Sequence, residues 1–228
     1  MKRYLYILLA AFALASCSAE LMEPGMRDGE YDQTADGEVT GKYMAIVTVK
    51  QAPDKTVFFQ LNDSTTVFPR NYQNGFTRME RVICEAFVWT SAQDSPYPYS
   101  CDVDWIDSIE EGEVLTNTFH SDPIDVFDDW MTSVEDGFLT VHYNVWWGLT
   151  PIAHRFCVIT GTNPDDPYEL LLKHDASGDA MEEKADGLVY FDINSLPSTE
   201  GQYKILTLKW NTLGGAASEK KFKFKTRE

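Results

Sequence analysis

From residue 42 onward, apolar residues recur at every second position in short runs, and the runs are parted by Gly, Pro, Asn, Asp and Ser. A chain patterned this way can bury one side of each run only by pairing the runs into sheets. In Tyr43-Met44-Ala45-Ile46-Val47-Thr48-Val49-Lys50, the set Tyr43, Ala45, Val47 and Val49 falls on one side. Thr56 to Leu61 and Thr65 to Phe68 follow, with Asn62-Asp63-Ser64 as turn chemistry between them and Pro69 as a stop. These runs predict a tight three-strand meander. Glu80 to Thr90 is a longer run, broken by Ser95-Pro96-Tyr97-Pro98 and resumed from Tyr99 to Ile106. Five or so strands in about eighty residues, one of them long and curved, predict a small barrel of the OB type over residues 42–119.

The second half carries the same period. Along Phe138 to Trp147, one face holds Leu139, Val141, Tyr143, Val145 and Trp147, and the other holds Phe138, Thr140, His142, Asn144 and Trp146. Further runs at Ala153–Thr160, Tyr168–His174, Leu188–Ile193, Tyr203–Trp210 and Lys221–Lys225 predict a β-sandwich over residues 120–228. The alternation Lys221-Phe222-Lys223-Phe224-Lys225 fits an edge strand guarded by lysine. Between the two halves, Ile124, Phe127, Trp130 and Met131 are spaced by three, three and one, which predicts a short helix or a structured linker. The chain is therefore expected to be all-β, with a boundary near His120.

Ahead of the strands, Lys2 and Arg3 precede an apolar run from Leu5 to Ala15 that is too short to cross a bilayer as a mature helix. It ends in Leu14-Ala15-Ser16-Cys17, where small residues before a cysteine mark the cut made by a lipoprotein signal peptidase. Residues 1–16 are thus expected to be removed. Cys17 is expected to carry acyl chains on its thiol and its new α-amino group, and several chains anchor stably where one does not. Losing Lys2 and Arg3 takes the net charge from −17 to −19. Residues 17–41 carry seven acids, Glu20 and Glu23 among the first, and read as a flexible acidic tether. An outer-membrane lipoprotein, periplasmic or surface-exposed, is the expectation. So acidic a body excludes nucleic acid as a natural partner.

The two halves together resemble the NigD-like lipoproteins of Bacteroidota. The resemblance is carried by Gly41 to Lys50, by Phe59-Gln60-Leu61-Asn62-Asp63-Ser64-Thr65-Thr66-Val67-Phe68-Pro69, by His154-Arg155-Phe156, by Leu170 to Asp179, and by Val189-Tyr190-Phe191-Asp192. It implies an N-terminal OB-like domain and a C-terminal β-sandwich. It transfers no catalytic or binding residue. Through the family's name it raises a bacteriocin-associated, immunity-type protective role as an alternative function.

Few residues offer chemistry. If the hairpin of the first half centres near residues 92–93, Cys84 lies opposite Cys101; a disulfide and two buried free thiols are both open readings. His120, His142, His154 and His174 show no zinc-site spacing, so neither metal nor cofactor is expected from them. Asp175, Ser177 and Asp179 present oxygens at alternate positions and form a weak calcium candidate. Ala180 stands where an EF-hand loop needs Gly, and Asp186 stands where a bidentate Glu is usual. No nucleophile elbow, paired-histidine zinc motif or phosphate loop occurs. The aromatic residues carry the hint of binding. With Trp147 in the core, Trp146 is left on the other face with His142 and Asn144, while Tyr97 and Tyr99 flank a Pro-bounded loop. The expectation is a non-enzymatic, lipid-anchored envelope protein that binds a glycan or a protein partner.

Overall fold

The computed structural model describes residues 19–22, 39–72, 77–117, 120–148 and 152–227. All regular structure among them is β, as the period of two requires. The signal peptide, Cys17 and residues 23–38 of the tether lie outside the described residues.

The first body is a closed barrel. Strand β1 (Ala19–Met22) lies on an edge of β2 (Val39–Gln51), and β3 (Val57–Gln60), β4 (Thr66–Pro69), β5 (Glu80–Thr90) and β6 (Tyr99–Ser108) complete the ring. The order runs β2-β3-β4-β6-β5 and closes by pairing β5 with β2. Asn62 makes the predicted turn, its Oδ1 accepting from the Ser64 and Thr65 N–H groups at 3.0 and 2.9 Å. Ala45, Val47, Val49, Phe59, Val67 and Val82 fill the interior. The tether reading needs one correction. Ala19–Met22 pairs antiparallel with Lys42–Ala45, because that stretch of β2 still offers unpaired backbone groups on its outer edge.

The cysteine register also differs from the expectation. The loop joining β5 to β6 runs from Ser91 to Pro98, closed by a Ser91 N–H to Pro98 O bond of 3.0 Å, so its centre falls two residues later than expected. A bulge at Asp104 then shifts the ladder, and the extra residue is held by Lys42, which reaches Glu85 Oε2 at 2.5 Å and Asp104 Oδ2 at 3.1 Å. Cys84 therefore faces Ile106, and Cys101 faces Val88. Both thiols are free and buried in the barrel core.

The second body is a sandwich of two sheets. Its strands are β7 (Glu110–Glu111), β8 (Glu113–Leu115), β9 (Asp125–Val126), β10 (Ser133–Glu135), β11 (Phe138–Trp147), β12 (Arg155–Ile159), β13 (Glu169–Asp175), β14 (Glu183–Asp192), β15 (Lys204–Asn211) and β16 (Ala217–Phe224). One sheet runs β10-β11-β14-β7 with β9 also on β11; the other runs β16-β15-β13-β12-β8. The predicted inner face of β11 is the core: Leu139, Val141, Tyr143 and Val145 pack with Phe156, Leu170, Phe191, Leu208 and Phe224. Strand β16 is an edge, as its lysines foretold. Asp136 and Gly137, both at positive φ (53° and 73°), form the two-residue turn of the β10–β11 hairpin that an Asp-Gly pair favours.

Two features depart from the expected division. Strands β7 and β8 precede residue 120 yet pair in parallel with β14 and β12, so the chain enters the sandwich directly after β6. Gly112 permits that crossing, since a Cβ there would stand 2.2 Å from Cε1 of the buried Phe191. No helix forms over residues 120–136; this stretch holds only two short strands, because its apolar residues reach different neighbours rather than one stripe. Ile124 enters the sandwich core, while Trp130 and Met131 pack at the junction between the bodies.

The junction uses faces that alternation had left outside. Ile46, Ile109, Phe138 and Tyr190 form a separate buried cluster between barrel and sandwich. Arg81 lies inside it at 1% exposure, with Nη1 donating to Thr48 Oγ1 (3.1 Å) and Nε donating to Thr140 Oγ1 (3.3 Å). At the rim, Lys50 pairs with Asp136 at 2.7 Å, and the Asp136 N–H donates to Asp63 Oδ1 at 2.8 Å. Arg227 donates to the Asp136 carbonyl at 2.7 Å and clamps Asp192 through both carboxylate oxygens at 2.8 Å. Lys50, Asp63, Asp136 and Arg227 border a polar cavity of about 210 Å³.

Candidate functional site

The outer face of β11 divides into two halves. Phe138 and Thr140 are covered by the barrel, whereas His142, Asn144 and Trp146 continue past its edge and are half-buried. Across the ladder they face Leu188, Asp186 and Lys184 of β14. The Lys184 ammonium sits 5.2 Å from the Trp146 ring centre, a cation over an aromatic face. His142 is held between two acids, with Nδ1 2.6 Å from Asp129 Oδ2 and Nε2 3.2 Å from Asp186 Oδ2. The ring of Phe127 lies 4.3 Å from that of His142 and is 37% exposed. Asn144 Oδ1 is buried and has no partner among the described residues.

The structure thus brings together His142, Asn144 and Trp146 of the predicted set and adds Phe127, Asp129, Lys184 and Asp186. It does not bring in the tyrosines. Tyr97 lies half-buried outside the barrel core, beside Phe58 and Phe68 with ring centres 5.5 and 5.7 Å away, and Tyr99 packs against the barrel core. No described contact joins either to the Trp146 face. The added residues had no signal in the sequence, since Phe127 and Asp129 arrive from a segment whose spacing had suggested a short helix or a structured linker.

Trp147 points the other way and leads to a second arrangement. Its ring stacks on His154 at 3.7 Å and 8°. His154 Nε2 meets Asp179 Oδ2 at 3.1 Å, His154 Nδ1 meets His174 Nε2 at 2.9 Å, and His174 Nδ1 points at the Pro123 carbonyl at 3.4 Å. Burial pushes His174 down to about 4, so at neutral pH it is uncharged. It then carries a single ring proton for its two contacts, with the Pro123 carbonyl and with His154. Asp179 is held below the usual carboxylate range, first by the Gly148 N–H at 2.8 Å and also by His154. A histidine–aspartate pair is the base half of a hydrolytic triad. Among the described residues, however, no serine, threonine or cysteine is bonded to either histidine. The Cys157 thiol is also pushed up to about 12 by burial. The arrangement ties the β11 end to β12, β13 and the β13–β14 loop, and it offers no nucleophile.

The calcium candidate does not converge. Asp179 is turned inward as described, with a side chain only 3% exposed. Asp175 Oδ1 accepts from the Ser177 N–H at 2.7 Å, and its carboxylate gathers instead with His120 and Asp122.

Comparison with known proteins places this geometry. Residues 1–18 match the prokaryotic membrane lipoprotein lipid attachment site, so the chain is a membrane-anchored lipoprotein held through the lipid on Cys17. Among solved structures, a protein of Parabacteroides distasonis shares 24% identity at a TM-score of 0.64, covering 81% of this chain and 93% of that one. A NigD-like immunity protein of Bacteroides caccae shares 17% at 0.56, covering 78% and 91%. A protein of unknown function from Bacteroides vulgatus shares 14% at 0.64, covering 79% and 90%. No curated protein matches. Residues 107–224, more than half of the chain, match the NigD-like C-terminal beta sandwich domain, and the match begins where the chain crosses into the sandwich: this protein belongs to the NigD-like family.

Proposed function

We propose that this lipoprotein is a non-enzymatic binding protein of the outer membrane. Its ligand would be an uncharged glycan, taken on the uncovered half of the β11–β14 face. The observation that carries the reading is the strip itself. Phe127 and Trp146 supply aromatic surface, and Asn144, Asp129 and Asp186 supply hydrogen-bonding groups beside it. Sugars are recognised by that pairing of ring faces with hydroxyl partners, and a net charge of −17 before processing disfavours anionic ligands. The lipid on Cys17 would hold this face at the membrane surface.

The test is titration of the mature chain with neutral envelope and host glycans, read by tryptophan fluorescence. Saturable binding that weakens about tenfold or more in Trp146→Ala supports the reading. No saturable binding, or binding untouched by both Trp146→Ala and Phe127→Ala, overturns it. The alternative is a protective lipoprotein associated with a bacteriocin, favoured by the description of the Bacteroides caccae relative as an immunity protein. Deletion of the gene followed by bacteriocin challenge separates the two, since unchanged sensitivity removes the protective role.

A further inference from the structure

Three of the four histidines of the chain, His120, His154 and His174, come from distant segments and meet at one corner of the sandwich. His154 and His174 are buried there. His120 stands in front of them at the surface, with Nε2 3.1 Å from Asp122 Oδ1. One donor atom from each of His120, Asp122 and Asp175 lies within 4.8 Å of the others. A divalent ion with bonds of about 2.0–2.2 Å in tetrahedral geometry sets its donor atoms about 3.4 Å apart. Small side-chain rotations close the remaining gap, and His120 is free to make them at 64% side-chain exposure.

The two carboxylates are already aimed. Asp122 joins His174 through an antiparallel bridge, its N–H donating to the His174 carbonyl at 2.7 Å. Asp122 Oδ2 accepts from the Ala176 N–H at 2.8 Å, which leaves Oδ1 turned toward His120. Asp175 Oδ1 is likewise held by the Ser177 N–H, leaving its second oxygen available. Outer contacts of this kind fix the orientation of metal ligands. Ser121, between the first two ligands, is tied to β13 by the Lys173 ammonium at 3.1 Å. The donor set is one imidazole and two carboxylates on a strongly acidic protein. It is harder than a structural Cys site, and its imidazole is foreign to a calcium loop.

We propose that His120 Nε2, Asp122 Oδ1 and a carboxylate oxygen of Asp175 form a site for one divalent first-row transition ion of the zinc class, with water filling the open position. Bound there, the ion clamps the segment entering β9 to the end of β13. It has no part in the Trp146 face, so the two readings stand or fall separately.

Tag-free mature chain, residues 17–228 with Cys17→Ser, is stripped with EDTA and titrated calorimetrically with zinc chloride, and in parallel with calcium and manganese chlorides. The expected result is one equivalent of zinc, with affinity falling at least about tenfold in His120→Ala and in Asp175→Asn and unchanged in His142→Gln. Zinc is also expected to raise the thermal midpoint of the parent chain but not of His120→Ala. Circular dichroism confirms that each variant is folded; His120 is a surface residue whose removal leaves the core intact. Absence of a one-equivalent zinc site overturns the proposal, as does zinc binding that survives His120→Ala. Calcium or manganese binding in preference to zinc overturns the assigned ion class.

Discussion

The crossing at Gly112 makes a sharp prediction. Its backbone φ is ordinary, so alanine is refused there on space alone. A Cβ would stand 2.2, 2.7 and 2.9 Å from Cε1, Cδ1 and Cζ of Phe191, where ordinary contact begins at 3.4 Å. The ring must therefore retreat by about 1.2 Å in a close-packed core, where Phe191 is fully buried and faces Leu139 across the ladder. Overpacking of that size costs about 3 kcal/mol. With a urea dependence of about 2 kcal/mol per molar, Gly112→Ala in the unacylated mature chain should lower the urea midpoint by about 1.5 M. Phe191→Leu alone should cost about 1.5 kcal/mol, and in the Gly112→Ala background it should cost far less, because the smaller side chain vacates the space. The coupling in this double-mutant cycle is then about 1–2 kcal/mol. A midpoint shift below about 0.3 M for Gly112→Ala, or additive single effects, would refute the steric reasoning and with it the packing of this crossing on the sandwich core.

Burial raises the Cys84 thiol to about 12 and pushes Cys101 up further still, so in the folded chain with Cys17→Ser neither should react with iodoacetamide at pH 8. Unfolding without reductant should label Cys84, Cys101 and Cys157 alike, and a single label in the mass spectrum would instead reveal a Cys84–Cys101 bridge. Asp179, held low by the Gly148 N–H and His154, contributes stability that is fully present above the ordinary carboxylate range and is lost as pH falls through its folded value. Asp179→Asn should therefore lower the urea midpoint at pH 7 and flatten the acid limb; an unchanged acid limb removes Asp179 from the account.

Alternation of period two revealed most of the strands, because each strand buries one face against a core and the rule reads that face directly. The inner face of β11 and the edge character of β16 were legible for this reason. What the period cannot show is which outer faces are covered. Ile46, Thr48, Phe138 and Thr140 lie off the core faces that the period picks out, and with Arg81 they form the junction between the bodies. Strands β7 and β8 are too short to display a period, so the boundary was placed several residues late. The loop of eight residues between β5 and β6, together with the bulge at Asp104, displaced the cysteines by an amount no strand pattern encodes. At the candidate site, Trp146, His142 and Asn144 followed from one strand. Phe127 and the flanking acids came from elsewhere in the chain, and the histidine corner gathers residues 120, 154 and 174 by topology alone.

The guanidinium of Arg81 has a consequence for how this molecule can move. Were the barrel to swing away from the sandwich, the Arg81 guanidinium would keep Thr48 and lose Thr140, and the swing would bare Ile46 on one half and Phe138 and Tyr190 on the other. The hinge between the halves is thereby locked, and truncation to either half leaves a sticky, mismatched wound. Joined in this way, barrel and sandwich carry the outer face of β11 on a single platform.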